Sequence, residues 1–334
     1  MPEQKPIWSP AHHHLQKSQM FQFMKKMEKQ NYNELHRWSI DHFEDFWKEM
    51  LKFSGIIYEG PEVPVLHSDH VKSFVPGGHF FPEVKLNFAE NLLRFRDNQP
   101  ALISISESRK TLRYSYTELF TAVAQVVSRF RKMGITSQDR IAGFVPNTCE
   151  PVISMLAAAS IGAAWTSCSP DFGVRGVLDR FGQIKPRILF AANAYFYNGK
   201  KIDCLEKIEK TVQYIPEIEK VVIIPFVKDH PLEIPGLKGK AVTWDDFLDH
   251  SANSLEFQPY PFNHPLYIMY SSGTTGIPKC IVHGAGGTLL QHTKELMLHS
   301  ELNRGDNIIY FTTCGWMMWN WLVSSLFVGA TVTL

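Results

Sequence analysis

The chain has 334 residues, 44% of them apolar, enough for two domains or for one large domain with an appendage around a sizeable core. Its 34 Lys and Arg offset 33 Asp and Glu, so the charge balance indicates no nucleic-acid surface. The five cysteines, Cys149, Cys168, Cys204, Cys280 and Cys314, are scattered, odd in number and without metal-ligand spacing, which argues against a disulfide framework and for a reducing compartment.

The first 20 residues are polar, carry His12-His13-His14 and hold no apolar stretch of signal-peptide length, so they read as a disordered terminus. Residues 21–28 form a short amphipathic helix pattern. Ser39 is the expected cap of a stronger helix, in which Phe43, Phe46, Trp47, Met50 and Leu51 recur at three- and four-residue spacing. Residues 61–81, with Pro64, Pro76, Gly77 and Gly78, read as a loop.

From residue 101 the pattern changes to alternating strands and helices. Strands are expected at 101–105, 112–114, 140–145, 163–166, 187–191 and 220–225. Helices are expected between them: one capped by Thr117 and ended by Gly134, then 150–161, 174–184, 202–214 and 244–249. This rhythm predicts an α/β fold of mostly parallel sheets with helices on both faces, and ligands at the carboxyl ends of the strands. The turns after Val145 and Ser167 and a loop after residue 270 fall at such ends. Two uncharged stretches, 151–170 and 315–334, have the length of a membrane span. Ser160 and Gly162 interrupt the first; Asn320, Ser324, Ser325 and Gly329 interrupt the second, so helix followed by buried strand fits both better.

The most specific signal is Tyr270-Ser271-Ser272-Gly273-Thr274-Thr275-Gly276-Ile277-Pro278-Lys279, set between the short apolar strands 266–269 and 280–283. Its glycines permit positive φ and close approach of the backbone to a ligand. Successive N–H groups in such a turn form an anion nest; the hydroxyls add donors, and Lys279 adds a mobile positive charge. A triphosphate needs that set. The Walker pattern is absent, because Pro278 precedes the lysine and Cys280 follows it. Gly284-Ala285-Gly286 opens like a dinucleotide fingerprint, but Leu289 stands where the third glycine belongs. A hairpin loop without a ligand is the plain alternative for composition alone.

The ordered string Ser-Ser-Gly-Thr-Thr-Gly-x-Pro-Lys resembles the phosphate-binding signature of the adenylate-forming enzymes: acyl-CoA synthetases, luciferases and the adenylation domains of peptide synthetases. Residues 32–39 (YNELHRWS) and 46–55 (FWKEMLKFSG) resemble the N-terminal cap of acetoacetyl-CoA and acetyl-CoA synthetases, and residues 86–93 (LNFAENLL) the entry into their main domain. Residues 169–173 (SPDFG), 282–287 (VHGAGG) and 315–321 (GWMMWNW) are similar to acetoacetyl-CoA synthetases in particular. The likeness runs from about residue 20 to the last residue.

The resemblance implies a cap segment at residues 1–100 and an AMP-binding domain at 101–334. Members of the family continue further, so the chain is expected to be an N-terminal portion without the second half of that domain and the small C-terminal domain. The implied activity is ATP-dependent conversion of acetoacetate to acetoacetyl-CoA in the cytosol, through an acetoacetyl-adenylate and with release of AMP and pyrophosphate. Its cofactors are ATP, Mg²⁺ and CoA, with no nucleic-acid or membrane partner. Another short-chain acyl-CoA synthetase and a non-catalytic nucleotide-binding fragment are the rival readings. The resemblance assigns Ser271, Ser272, Gly273, Thr274, Thr275, Gly276 and Lys279 to the ATP phosphates, with Thr275 and Lys279 nearest the chemistry. It assigns Arg180 to CoA, and Cys314, Gly315 and Trp316 to the acyl pocket; no protein metal ligand is expected. This chain by itself is expected not to complete the reaction, and residues 316–334 are expected to expose apolar surface.

Overall fold

The computed structural model describes residues 9–67, 78–107, 109–271 and 276–334. Its first part is helical: α1 (His12–Lys17), α2 (Gln19–Lys26), α3 (Tyr32–Asp41) and α4 (Phe43–Ser54). The aromatic periodicity of residues 43–51 does form a buried helix face, with Phe46, Met50 and Leu51 inside. Phe46 and Phe53 meet Phe23 of α2 edge-on, with ring centroids 5.9 and 5.0 Å away. Ser39 does not cap α4. It lies inside α3, where its hydroxyl donates to the His36 carbonyl, and α4 starts after His42 with Glu44 and Asp45 in its first turn. The cap of α3 is Asn31, whose side chain accepts the Glu34 N–H.

The predicted loop at 61–81 holds the short antiparallel pair β1 (Leu66–His67) and β2 (His79–Phe80); residues 68–77 lie outside the described ones. Next come β3 (Lys85–Leu86), α5 (Phe88–Leu92), β4 (Pro100–Ser104), β5 (Leu112–Ser115) and α6 (Tyr116–Lys132). The cap of α6 is Ser115, two residues before Thr117. Ser115 accepts the Glu118 N–H while the Glu118 carboxylate accepts the Ser115 N–H, a reciprocal capping box.

The expected alternation follows: β6 (Arg140–Phe144), α7 (Cys149–Ser160), β7 (Ala164–Cys168), α8 (Val174–Ile184), β8 (Ile188–Ala192), β9 (Ala194–Tyr197), β10 (Lys200–Asp203), α9 (Leu205–Tyr214) and β11 (Lys220–Ile224). The helix expected from 202 starts at 205, because Ile202 belongs to the β9–β10 hairpin. The chain continues through β12 (Ala241–Thr243), α10 (Trp244–Phe247), β13 (Tyr260–Pro261), β14 (Pro265–Ser271), β15 (Lys279–Gly284) and α11 (Ala285–Lys294). A π-helical turn, Glu295–His299, extends α11. It is followed by β16 (Asn307–Ile309), α12 (Met317–Val323), a 3₁₀ turn at Ser324–Val328 and β17 (Thr331–Thr333).

Seven strands form the main sheet in the order β12-β11-β8-β6-β7-β14-β15; all are parallel except the edge strand β15. A second sheet has the order β16-β17-β4-β5. Alternate side chains of the main sheet feed two cores. Ile141, Trp165, Phe190, Val222 and Tyr267 pack on the face covered by α6, α7 and α11. Ala142, Phe144, Leu189, Ala191 and Val221 pack on the other, against Val177 and Phe181 of α8 and Ile208 and Val212 of α9. The predicted mostly parallel sheet with helices on both faces is therefore present.

Both uncharged stretches resolve into a helix followed by a strand. Among the described residues, no helix is long and apolar enough to cross a membrane. The end of the chain differs from expectation. Trp319, Leu322, Val323, Leu326, Phe327, Ala330 and Val332 are buried, because β17 inserts between β16 and β4 and draws the preceding turns inward. Within the expected stretch Trp316 and Met317 are exposed, and further apolar exposure falls outside it, on Ile309 and Phe311 and on Ile281 and Val282 of the edge strand.

Candidate functional site at the carboxyl edge of the main sheet

Strands β6, β7 and β14 are neighbours. Their carboxyl ends open into the turn at 145–148, the turn at 169–173 and the loop between Ser271 and Lys279, so three segments, the last of them about 100 residues beyond the other two, meet at one edge. This is where a parallel sheet places ligands.

The described ends of the loop are in register: Ser271 pairs with Lys279, and Tyr270 with Cys280. Gly276 has φ +111°, a conformation that disfavours any side chain. Ser272, Gly273, Thr274 and Thr275 lie outside the described residues. Lys279 is exposed, and no ion pair among the described residues engages it. Ser271 and Lys279 thus stand opposite each other with donors suited to phosphate oxygens and no carboxylate competing for the lysine.

Tyr270 anchors this edge. Its hydroxyl lies 3.1 Å from Thr166 Oγ1, which donates to the Ile268 carbonyl at 2.8 Å, and burial pushes its phenol pKa upward. Arg180 lies on α8, with its guanidinium 4.4 Å from the Phe172 ring centroid and 5.7 Å from that of Tyr270; it also donates to the Gly176 carbonyl. The structure thereby brings Arg180 beside the phosphate-loop strand.

Cys314 and Gly315 also reach this edge, although β16 ends at Ile309 and belongs to the second sheet. Ser167 Oγ donates to the Cys314 carbonyl at 2.6 Å, and Cys314 Sγ sits 3.3 Å from the Pro146 carbonyl. Burial pushes the Cys314 thiol pKa up, so it behaves as a small apolar group and not as a thiolate. A side chain at Gly315 would touch the Ser167 carbonyl at 3.5 Å, so the segment lies directly on the end of β7. A small cavity beneath it is lined by Trp165, Ser167, Met269, Cys314 and Asn320. Trp316 is 69% exposed on the outer side, whereas Trp319 is wholly buried core. His283 is half-buried on β15 with its ring 5.3 Å from that of Tyr267; desolvation lowers its pKa.

Three side-chain contacts here lay beyond sequence reasoning. Trp319 Nε1–H donates to Asn147 Oδ1 at 2.8 Å, Asn320 Nδ2 lies 3.7 Å from Met269 Sδ, and Gln183 Nε2–H donates to the Pro278 carbonyl at 2.8 Å. Asn147 carried a signal in its place in a turn at a strand end, and Trp319 and Asn320 in the motif at 315–321; Gln183 carried none.

A mostly parallel sheet with this ordered loop sequence at its carboxyl edge is the architecture of the adenylate-forming class. The sequence pattern of the family described as "AMP-binding enzyme" matches residues 88–334, and the chain belongs to that family. Within it, the chain is similar to acetoacetyl-CoA synthetases. It is 47% identical over 310 residues to that of Gallus gallus, covering 91% of this chain and 46% of that protein. It is 42% identical over 340 residues to that of Rhizobium meliloti, covering 100% of this chain and 51% of that protein. The solved acetoacetyl-CoA synthetase of Streptomyces lividans superposes with a TM-score of 0.91 at 35% identity, over 99% of this chain and 51% of that one. The chain spans about half the length of the curated relatives it matches. The family likeness carried by the sequence motifs is thereby borne out.

Proposed function

We propose that this chain carries the nucleotide-binding part of an acetoacetate–CoA ligase. The reaction is attack of the acetoacetate carboxylate on the α-phosphorus of ATP, giving an acetoacetyl-adenylate and pyrophosphate. The CoA thiol then displaces AMP. The observation that carries this reading is the meeting of the three strand-end segments at one sheet edge, in a chain 47% identical to an acetoacetyl-CoA synthetase. No acid–base pair is required of the protein, whose part is to position the reactants and stabilise charge.

In this reading Ser271, Ser272, Gly273, Thr274, Thr275, Gly276 and Lys279 hold the ATP phosphates, with Lys279 as a point charge. Arg180 meets CoA, and Cys314, Gly315 and Trp316 bound the acyl pocket. Mg²⁺ supplies charge neutralisation on the phosphates; among the described residues no group of three or more His, Cys, Asp or Glu is arranged to hold a metal. Residues 1–100 serve as the cap segment and 101–334 as the AMP-binding domain, working in the cytosol on small molecules. A second acyl group has support: a malonamoyl-CoA synthetase of Penicillium aethiopicum is 42% identical over 334 residues.

Calorimetry with MgATP tests the nucleotide part. Saturable binding that disappears in a Lys279→Ala, Thr275→Ala double variant is the expected result, and no binding by the unaltered chain would sink it. Ligand-observed NMR with acetoacetate, acetate and malonamate, each with MgATP, ranks the acids.

A further inference from the structure

Helix α8 touches β14 and the residue that leads into β15, and it does so through two residues one turn apart. Arg180 and Gln183 are separated by three positions and share a helix face. Arg180 stacks between Phe172, in the turn after β7, and Tyr270, the residue before Ser271. Gln183 reaches the start of the other arm: its side-chain amide donates to the carbonyl of Pro278, the residue before β15, at 2.8 Å, and to the Asp179 carbonyl of its own helix at 2.6 Å. The second bond holds the amide in place for the first.

The Pro278 carbonyl belongs to the planar peptide unit that also contains the Lys279 nitrogen. A hydrogen bond to that oxygen therefore fixes the orientation of the peptide from which Lys279 departs. Pro278 has no N–H to use instead, and Gly276, two residues earlier at φ +111°, gives the segment little stiffness of its own. The hairpin ladder pairs Ser271 with Lys279 without help from α8. What α8 adds is the placement of the hairpin end relative to the turn after β7.

We propose that Gln183 is a positioning residue for Lys279, holding the Pro278–Lys279 peptide so that the lysine need not be ordered when a triphosphate arrives. The role rests on the phosphate-loop reading above. Gln183 itself contacts no ligand; it acts through the backbone of its neighbour, so its loss lowers affinity and leaves the fold intact. One exposed hydrogen bond of this kind is worth about two- to tenfold in affinity.

The test is MgATP calorimetry and backbone amide exchange on the 334-residue chain, unaltered and as Gln183→Met and Gln183→His, at pH 8. Met matches the length of Gln without a donor; neutral His returns an N–H at a similar reach. The expected result is a Kd raised about two- to tenfold in Gln183→Met and restored toward the unaltered value in Gln183→His, with equal melting temperatures. Amide exchange at residues 279–281 should quicken in ligand-free Gln183→Met alone. Unaltered-chain binding that Gln183→Met leaves unchanged overturns the positioning role and spares the phosphate-loop reading. No MgATP binding by the unaltered chain overturns that reading, and the positioning role falls with it.

Discussion

The indole N–H of Trp319 on α12 donates to Asn147 Oδ1, in the turn after β6, at 2.8 Å. This bond pins the helix that follows the candidate acyl segment to the strand end beside the phosphate-loop edge. Trp319 is wholly buried, so its N–H needs a partner within the protein. Trp319→Phe keeps much of the packing and removes the donor. It is expected to cost about 1–3 kcal/mol, from the lost bond plus the volume left behind. Urea denaturation with an unchanged slope would measure it. A cycle with Asn147→Ala should show coupling on the order of 1 kcal/mol, and additive effects would mean that the bond contributes nothing.

A buried ion pair fastens the other side of the same turn. Arg109 meets Glu150 bidentately at 2.6 and 2.9 Å, with side chains only 13% and 5% exposed. Glu150 sits in the first turn of α7, where the helix dipole also favours its charge. Removing one partner strands the other charge in the interior. Glu150→Gln and Arg109→Met should each lose about 3–5 kcal/mol. The paired change Arg109→Met, Glu150→Leu should recover much of that, since a packed apolar pair avoids the desolvation cost. Denaturant midpoints of the three variants decide it; a double variant as unstable as the singles would refute the explanation.

The sheet was legible because its strands are short, mostly apolar runs alternating with helix patterns, and their burial on both faces follows from that composition. The family was legible because several glycines, hydroxyls and one lysine in a fixed order have few other uses. What escaped depends on long-range contact. Ser39 looks like a helix cap, but the hydrophobic repeat that it was matched to starts four residues later, and Asn31 had already begun the preceding helix. Residues 316–334 looked like stranded apolar surface, because nothing local shows that β17 pairs with β4, over 200 residues earlier. Gln183 gave no signal at all. Its partner is a backbone carbonyl 95 residues away, and a surface glutamine on a helix is ordinary.

Gly286 illustrates how a glycine can mislead. It is the second glycine of what looks like part of a dinucleotide fingerprint, yet its role is packing. A Cβ built there would stand 2.2 Å from the Phe262 ring, a residue that is itself fully buried against Phe81. Gly286→Ala should therefore destabilise the chain by about 1–3 kcal/mol through overpacking, although alanine favours helices. Gly287, also on α11, has open space at its Cβ and should accept alanine with little change or a slight gain. Thermal melts of the two variants separate the cases, and equal melting temperatures would refute the packing account.

His292 makes stability depend on pH. It lies buried on α11, its Nδ1 2.8 Å from Ser324 Oγ, and desolvation above all lowers its pKa from 6.5 to about 4. His283 lowers it further, and Glu295 opposes the shift. Between those two values the unfolded chain holds a proton on this residue that the folded chain does not. Stability therefore rises with pH through that window and falls as pH drops from 6.5 toward 4. The span corresponds to roughly 3 kcal/mol at most for this one group. Unfolding free energies from pH 4 to 7.5, for the unaltered chain and for His292→Gln, test it as a difference, which cancels much of the contribution of the other titrating groups. The unaltered chain should lose more stability than the variant on acidification; parallel curves would mean that His292 titrates normally or keeps its proton when folded.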